Sequence, residues 1–286
     1  MSKEYLLLMK QIAFRGGEIA LKLIRKSSFS LKPDNSVLTK VDTEISAIAR
    51  SVLKDILAKP DHILIDEEDI ENTRYLDQSY LEATRFIWVL DPIDGTRAFS
   101  NRMPNFGISI GLLKDLKPWL GVIYFPMLGE LFYSEGKQSI FVQNAFTKSK
   151  IKTVITPIDQ QITSQSIFIC NDSFSEKFDW DYSDCQLMNP ACAVLGLCWP
   201  SIGRGCGAFF GAHIWDFAGS WPIFLSADLS LRSYQTGNEM SQLDIGLFFG
   251  KSKNPWRLRE WYILSSERNF SLLREKIIPK YQKQEG

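Results

Sequence analysis

The chain has 286 residues, 45% hydrophobic and 23% charged, with 33 Lys and Arg balanced by 33 Asp and Glu. That length and composition fit a globular protein with a sizeable core, either one large domain or two closely packed ones. Zero net charge argues against a protein built to hold nucleic acid or an anionic membrane, and no apolar run approaches the roughly 20 residues of a membrane-spanning helix.

The N-terminal apolar run, Tyr5 to Met9, is cut by Lys10 and is too short for a secretory signal, so a cytoplasmic protein is expected. Leu8, Ile12, Ile19, Leu23 and Ile24 predict a helix over 4–26, weakened in the middle by Gly16-Gly17. The loop LKPDNS follows. Ile45, Ile48, Ala49, Val52, Leu53, Ile56 and Leu57 then form one apolar helical stripe, beginning near Asp42 and ended by Pro60. HILID (62–66) predicts a strand that runs into Glu67-Glu68-Asp69. A strand over Phe86–Leu90 leads into DPIDGT (91–96). FGISIGLL, WLGVIYF and ELFYS predict an antiparallel meander.

The polar stretch 145–160 is the best boundary between two halves, 1–150 and 151–286. In the second half, SIFIC and GAFFG predict strands and Ala191–Trp199 a short helix stopped by Pro200. WDFAGSWPIFLSA predicts one helix kinked at Pro222. WYILSS and a helix from Asn269 to Ile278 close the chain. Interleaved strands and helices in both halves predict a layered α/β (α+β) fold. Cys170, Cys185, Cys192, Cys198 and Cys206 are odd in number and lack C-x-x-C spacing. Only His62 and His213 could assist them, so buried thiols are expected rather than a zinc site.

The run WVLDPIDGTRAF (88–99) carries the chemistry. A buried strand ends by placing Asp91 and Asp94 beside a proline, a tight-turn glycine and a helix start near Thr96. Free N–H groups at a helix start favour phosphate. Two adjacent carboxylates would repel unless a divalent cation joined them, and oxygen-only ligands point to Mg²⁺. Taken alone, Asp-x-x-Asp is also an ordinary capped turn. IDEED supplies Glu67 after another strand, and HIWDFAG supplies Asp216 at a helix start.

Together, Glu67-Glu68, DPIDGT (91–96), WDFAG (215–219) and the upstream VLTKVD (37–42) resemble the inositol monophosphatase family of Mg²⁺-dependent, lithium-sensitive phosphatases. The resemblance runs from the first helix to the last. It implies the layered αβαβα sandwich of the inositol monophosphatase and fructose-1,6-bisphosphatase type. It also implies two or three Mg²⁺ ions and a small phosphorylated metabolite as substrate, with a homodimer as the expected assembly. Glu67, Asp91 and the carbonyl of Ile93 would hold one ion, and Asp91, Asp94 and Asp216 a second. Glu67 with water would hold a third. Asp42, Thr96 and Glu67 are the implied catalytic set, with Thr96 bonded to Asp42 and helping to activate the attacking water. The N–H groups of Gly95 and Thr96 would take the phosphate, and Ala191 and His213 would face the substrate.

Two departures bear on the substrate. GTRAF (95–99) is closer to some histidinol-phosphate phosphatases of the same superfamily. The Asp that usually follows a Gly-Arg pair is Cys206, and the acidic residue that grips inositol hydroxyls falls on Phe209 or Phe210. These phenylalanines are either core or the wall for a less polar leaving group. An inositol monophosphate-like ester is the first expectation. Histidinol phosphate, fructose 1,6-bisphosphate and 3′-phosphoadenosine 5′-phosphate are the alternatives, and a non-catalytic metal- or phosphate-binding regulator is the alternative of another class.

Overall fold

The computed structural model describes residues 2–24, 30–31, 37–38, 40–158, 161–181, 185–250 and 254–280. Residues 25–26 of the expected first helix, 32–36 of the expected loop and Thr39 of VLTKVD lie outside them.

Helix α1 (Ser2–Leu23) leads to a two-stranded hairpin, β1 (Ser30–Leu31) and β2 (Val37–Leu38). It runs unbroken through Gly16-Gly17, because both glycines are buried where the helix meets the neighbouring helix and sheet. Helices α2 (Lys40–Val52) and α3 (Lys54–Leu57) carry the apolar stripe, with a break at Leu53. Strand β3 (His62–Asp66), helix α4 (Gln78–Ala83), strand β4 (Phe86–Asp94) and helix α5 (Thr96–Ser100) follow.

The meander comprises five strands rather than three: β5 (Gly107–Lys114), β6 (Lys117–Phe125), β7 (Glu130–Ser134), β8 (Ser139–Gln143) and β9 (Ile151–Ile155). With β3 and β4 they form a seven-stranded sheet in the order β3-β4-β5-β6-β7-β8-β9, parallel only between β3 and β4. Strand β9 falls inside the polar stretch 145–160. Four of its five residues are exposed, so as an edge strand it shows no buried apolar pattern.

The second half contributes β10 (Ser166–Cys170), α6 (Phe174–Lys177), β11 (Phe178–Trp180), β12 (Cys185–Met188), α7 (Ala193–Cys198) and β13 (Gly207–Phe210). Pro200 lies within a 3₁₀ turn, Trp199–Ile202, that continues α7 rather than stopping it. WDFAGSWPIFLSA forms two helices, α8 (Ile214–Phe217) and α9 (Trp221–Leu225), with Pro222 in the first turn of the second. There its missing N–H costs nothing, so the proline opens a helix instead of kinking one. Strands β14 (Ser230–Ser233) and β15 (Tyr262–Ser265), helix α10 (Glu267–Lys276) and strand β16 (Ile277–Pro279) complete the chain. The second sheet has the order β12-β10-β13-β15-β14, and β11 pairs with β16.

The result is the expected αβαβα layering. One core joins α1 and α2 to a face of the seven-stranded sheet, through Met9, Ile12, Ile45, Trp88 and Ile108. A second fills the space between the sheets with α7, α8 and α9, through Val89, Phe125, Leu195, Phe217 and Trp221. The outer core under α10 gathers Phe168, Trp180, Phe209 and Leu273. Helices from the second half therefore pack directly on the sheet of the first. Gly121 on β6 makes the contact close: a Cβ there would lie 1.9 Å from the carbonyl oxygen of Gly219, between α8 and α9.

Candidate active site

A break in strand register brings the first two carboxylates together. Pairing of β4 with β5 is regular as far as Asp91↔Ser109 and resumes at Asp94↔Gly107. Three steps on β4 thus oppose two on β5, which is a bulge, and Pro92, lacking an N–H, falls within it. In a regular strand, residues 91 and 94 would point to opposite faces. The extra residue turns both into one cavity. Gly95 then reverses the chain at φ 86°, where a Cβ would also lie 2.6 Å from the Asn105 carbonyl oxygen, so this position admits only glycine on two counts. Thr96 opens α5, and its hydroxyl donates to the carbonyl of Ile93 at 2.9 Å.

Hydrogen bonds fix the other acidic side chains of the cavity. Asp66, fully buried at the end of β3, accepts from Ser46 Oγ and Arg50 at 3.0 Å and from the Glu68 N–H at 3.1 Å. Those bonds pin the turn that carries Glu67 into the cavity. Asp216 lies in the first turn of α8, where its Oδ2 accepts the His213 N–H at 2.8 Å. Oδ2 of Asp94 accepts the Val194 N–H at 2.5 Å and the Cys192 thiol at 3.1 Å, both from the start of α7. Each bond holds one oxygen of a carboxylate and so sets its plane.

Asp91, Asp94 and Asp216 present ligand atoms that all lie within 4.8 Å of one another. They open on a cavity of about 550 Å³, lined also by Glu67, Ile93, Gly95, Thr96, Ala191 and His213. Every expected site residue except Asp42 lines it. Asp42, 1% exposed in the first turn of α2, acts on Asp91 through its charge. Burial drives the Asp91 carboxyl well above the usual carboxylate range, and Glu67, Asp94, Asp216 and Asp42 push it further. Burial, then Asp216, raises Asp94 to about 7, against the opposing bonds from Val194, Cys192 and Ala193. Oδ1 of Asp91 is buried and has no hydrogen-bond partner. Adjacent buried carboxylates with an unsatisfied oxygen are strongly unfavourable alone. Hard oxygen donors in this arrangement fit a divalent cation such as Mg²⁺.

Phe209 and Phe210 are both core and cavity wall. The Phe209 ring stacks on Trp261 at 5.2 Å and meets Phe174, Phe178 and Tyr234 edge-on, while Phe210 packs against Phe217. His213 stacks flat on Trp215, with Nδ1 3.6 Å from Asp216 Oδ2. His62 is remote from this chemistry: it is buried between Tyr5 and Trp88, bonded to both. All five cysteines are buried and none forms a disulfide.

The sequence did not reveal three features. Cys192 and Val194 orient Asp94. Arg97 pairs with Asp172 at 2.7 Å, Asp172 accepts from Asn189 at 2.8 Å, and Asn189 accepts the N–H of Ala191, which is held at φ 56°. Arg257 reaches the cavity from a segment bridged to His213. None has a local signature, since each depends on segments far apart in the chain.

The profile of the inositol monophosphatase family matches residues 3–236. The chain belongs to that family. Among curated members, it is 30% identical to the Nus factor SuhB of Escherichia coli, over 73% of this chain and 79% of that protein. It is 27% identical to the 3'(2'),5'-bisphosphate nucleotidase CysQ of Buchnera aphidicola, over 80% and 84%. A solved IMPase/NADP phosphatase, complexed with Mg²⁺ and phosphate, superposes with a TM-score of 0.72 at 14% identity, covering 98% of this chain and 99% of the other. That likeness establishes the shared inositol monophosphatase fold. Among the described residues no helix is long and apolar enough to cross a membrane.

Proposed function

We propose that this chain is a Mg²⁺-dependent phosphomonoesterase acting on a small phosphorylated metabolite. The observation that carries the reading is the convergence of Asp91, Asp94 and Asp216 within 4.8 Å, with the buried Oδ1 of Asp91 unpartnered. When bound, Mg²⁺ supplies positive charge for the phosphate oxygens and lowers the pKa of water.

The chain's own groups do the rest. The bonds from Val194 and His213 hold Asp94 and Asp216 in fixed planes. The Thr96 hydroxyl ties the Ile93 carbonyl into the turn, and Glu67, which lines the cavity with Asp91, would orient the attacking water and receive its proton. Asp42 adds further negative charge beside the cluster from α2. The N–H groups of Gly95 and Thr96 donate to phosphate oxygens at the start of α5. That helix has only five residues, so its dipole is weak against four carboxylates. Phosphate binding must therefore depend on the cation. The leaving group meets the wall of Ala191, Phe209, Phe210 and His213, whose side chains carry no carboxylate for a ring hydroxyl, and the nearby lining Asp172 is already bonded to Arg97 and Asn189. That favours leaving groups other than inositol.

A panel of phosphorylated metabolites at fixed Mg²⁺ tests the reading. Release of phosphate that is abolished by EDTA and by Asp94→Asn supports it. Tight binding of esters with no phosphate released from any of them contradicts it and indicates a sensor.

A further inference from the structure

The lining of the cavity bears a charge that the proposed reaction does not use. Its cationic side chains are Arg97 and Arg257. Arg97 is committed: its Nη1 lies 2.7 Å from Asp172 Oδ2, and the other oxygen of Asp172 is held by Asn189. That pair neutralises the one lining carboxylate outside the metal cluster. Arg257 makes no ion pair or hydrogen bond through its guanidinium among the described residues. It is half-buried, and its backbone is bridged to His213, which places their Cα atoms about 4.5–5.5 Å apart. The N–H of His213 in turn holds Asp216. A cationic residue is thus carried beside His213 on the leaving-group wall, where Phe209 and Phe210 supply no acceptor for hydroxyls.

We infer that Arg257 is a specificity-determining residue that receives a second anionic group, a phosphate or a carboxylate, carried on the substrate's leaving group. The inference rests on the phosphomonoesterase reading. A guanidinium binds either anion through paired N–H groups, and a partly desolvated one discriminates strongly against a neutral polyol. Arg257 stands on the segment beside His213 and not on α5. The scissile phosphate at Gly95 and Thr96 and the second anion therefore use different walls.

The test compares wild type, Arg257→Lys and Arg257→Ala at fixed Mg²⁺, on ester pairs that differ by one anion. Adenosine 3′-phosphate against adenosine 3′,5′-bisphosphate reads a second phosphate, and glycerol 2-phosphate against 2-phosphoglycerate reads a carboxylate. Wild type should prefer the doubly anionic member of at least one pair. Arg257→Ala should lower kcat/KM for that member by about 10- to 100-fold, chiefly through KM, while the singly anionic member changes by less than about threefold. Arg257→Lys should fall between, and unchanged melting temperatures should exclude misfolding. Equal losses on both members would assign Arg257 to the scissile phosphate and overturn the inference, as would no loss or a wild-type preference for the neutral leaving group. In each of those cases phosphate release continues and the proposed function stands. Failure to hydrolyse any ester would remove the proposed function and this inference together.

Discussion

Replacing Asp94 with Asn separates the cost of a buried carboxylate from its use. The residue is 7% exposed and its carboxyl is raised from 3.8 to about 7. A shift of about three units, at about 1.4 kcal/mol each, makes the ionised form cost on the order of 4 kcal/mol in the metal-free protein. Because the folded carboxyl has the higher pKa, the folded chain binds more protons than the unfolded chain between these values. Its contribution to stability is full below pH 3.8 and is lost as pH rises through 7. Asn has the same shape, does not titrate, and keeps an oxygen for the Val194 N–H and the Cys192 thiol. In EDTA, Asp94→Asn should therefore be more stable than wild type by about 4 kcal/mol at pH 8 and by roughly 1–2 kcal/mol at pH 5. For 286 residues, the larger value corresponds to a rise of about 7 °C in Tm. With Mg²⁺ the order should reverse: wild type gains stability, the variant does not, and phosphate release falls by at least about 100-fold. Thermal denaturation at both pH values, with EDTA and then Mg²⁺, reads all of this. A variant less stable than wild type in EDTA, equally so at pH 5 and pH 8, would refute the reasoning, since the carboxylate would then carry no charge penalty.

Three further outcomes follow from the same geometry. Cys192→Ala removes one donor from Asp94 and should raise the Mg²⁺ concentration for half-maximal activity about 10-fold, whereas Cys192→Ser keeps a donor and should stay within a few-fold; equal effects would dismiss the thiol's role. The Tm increase given by saturating Mg²⁺ should be larger at pH 8 than at pH 5, because the raised pKa values of Asp91 and Asp94 make protons compete with the ion; a shift independent of pH would place the ion elsewhere. Gly121→Ala drives a Cβ into the Gly219 carbonyl and should cost at least about 2–3 kcal/mol in urea unfolding, with a loss of activity as α8 and Asp216 are displaced; a neutral substitution would show that the contact is looser than described.

The sequence disclosed the elements whose physics is local. DPIDGT is legible because a proline, a left-handed glycine and a helix start follow one another within six residues. The stripe of α2 is legible because its buried face repeats at helical spacing. Strand β9 was not, since an edge strand with four exposed residues lacks that pattern. The bulge was also hidden: spacing alone predicts that Asp91 and Asp94 point apart, and only the pairing with β5 reveals that they do not. Pro222 was read as a kink because a proline in an apolar run is equally compatible with a helix start, and the choice depends on how tightly Gly219 packs on β6. The acidic set was named from motifs. Its supports at Cys192, Val194 and Asp66, and the cation at Arg257, depend on contacts between remote segments that no local spacing encodes.

A crystal soaked in Mn²⁺, with anomalous scattering recorded to locate the ion, tests the central claim most directly. Bound manganese should lie among Asp91, Asp94 and Asp216, with an oxygen of each at about 2.0–2.3 Å and the formerly unpartnered Oδ1 of Asp91 among the ligands. An anomalous peak elsewhere, with these three carboxylates free of metal in a protein that still releases phosphate, would contradict the account.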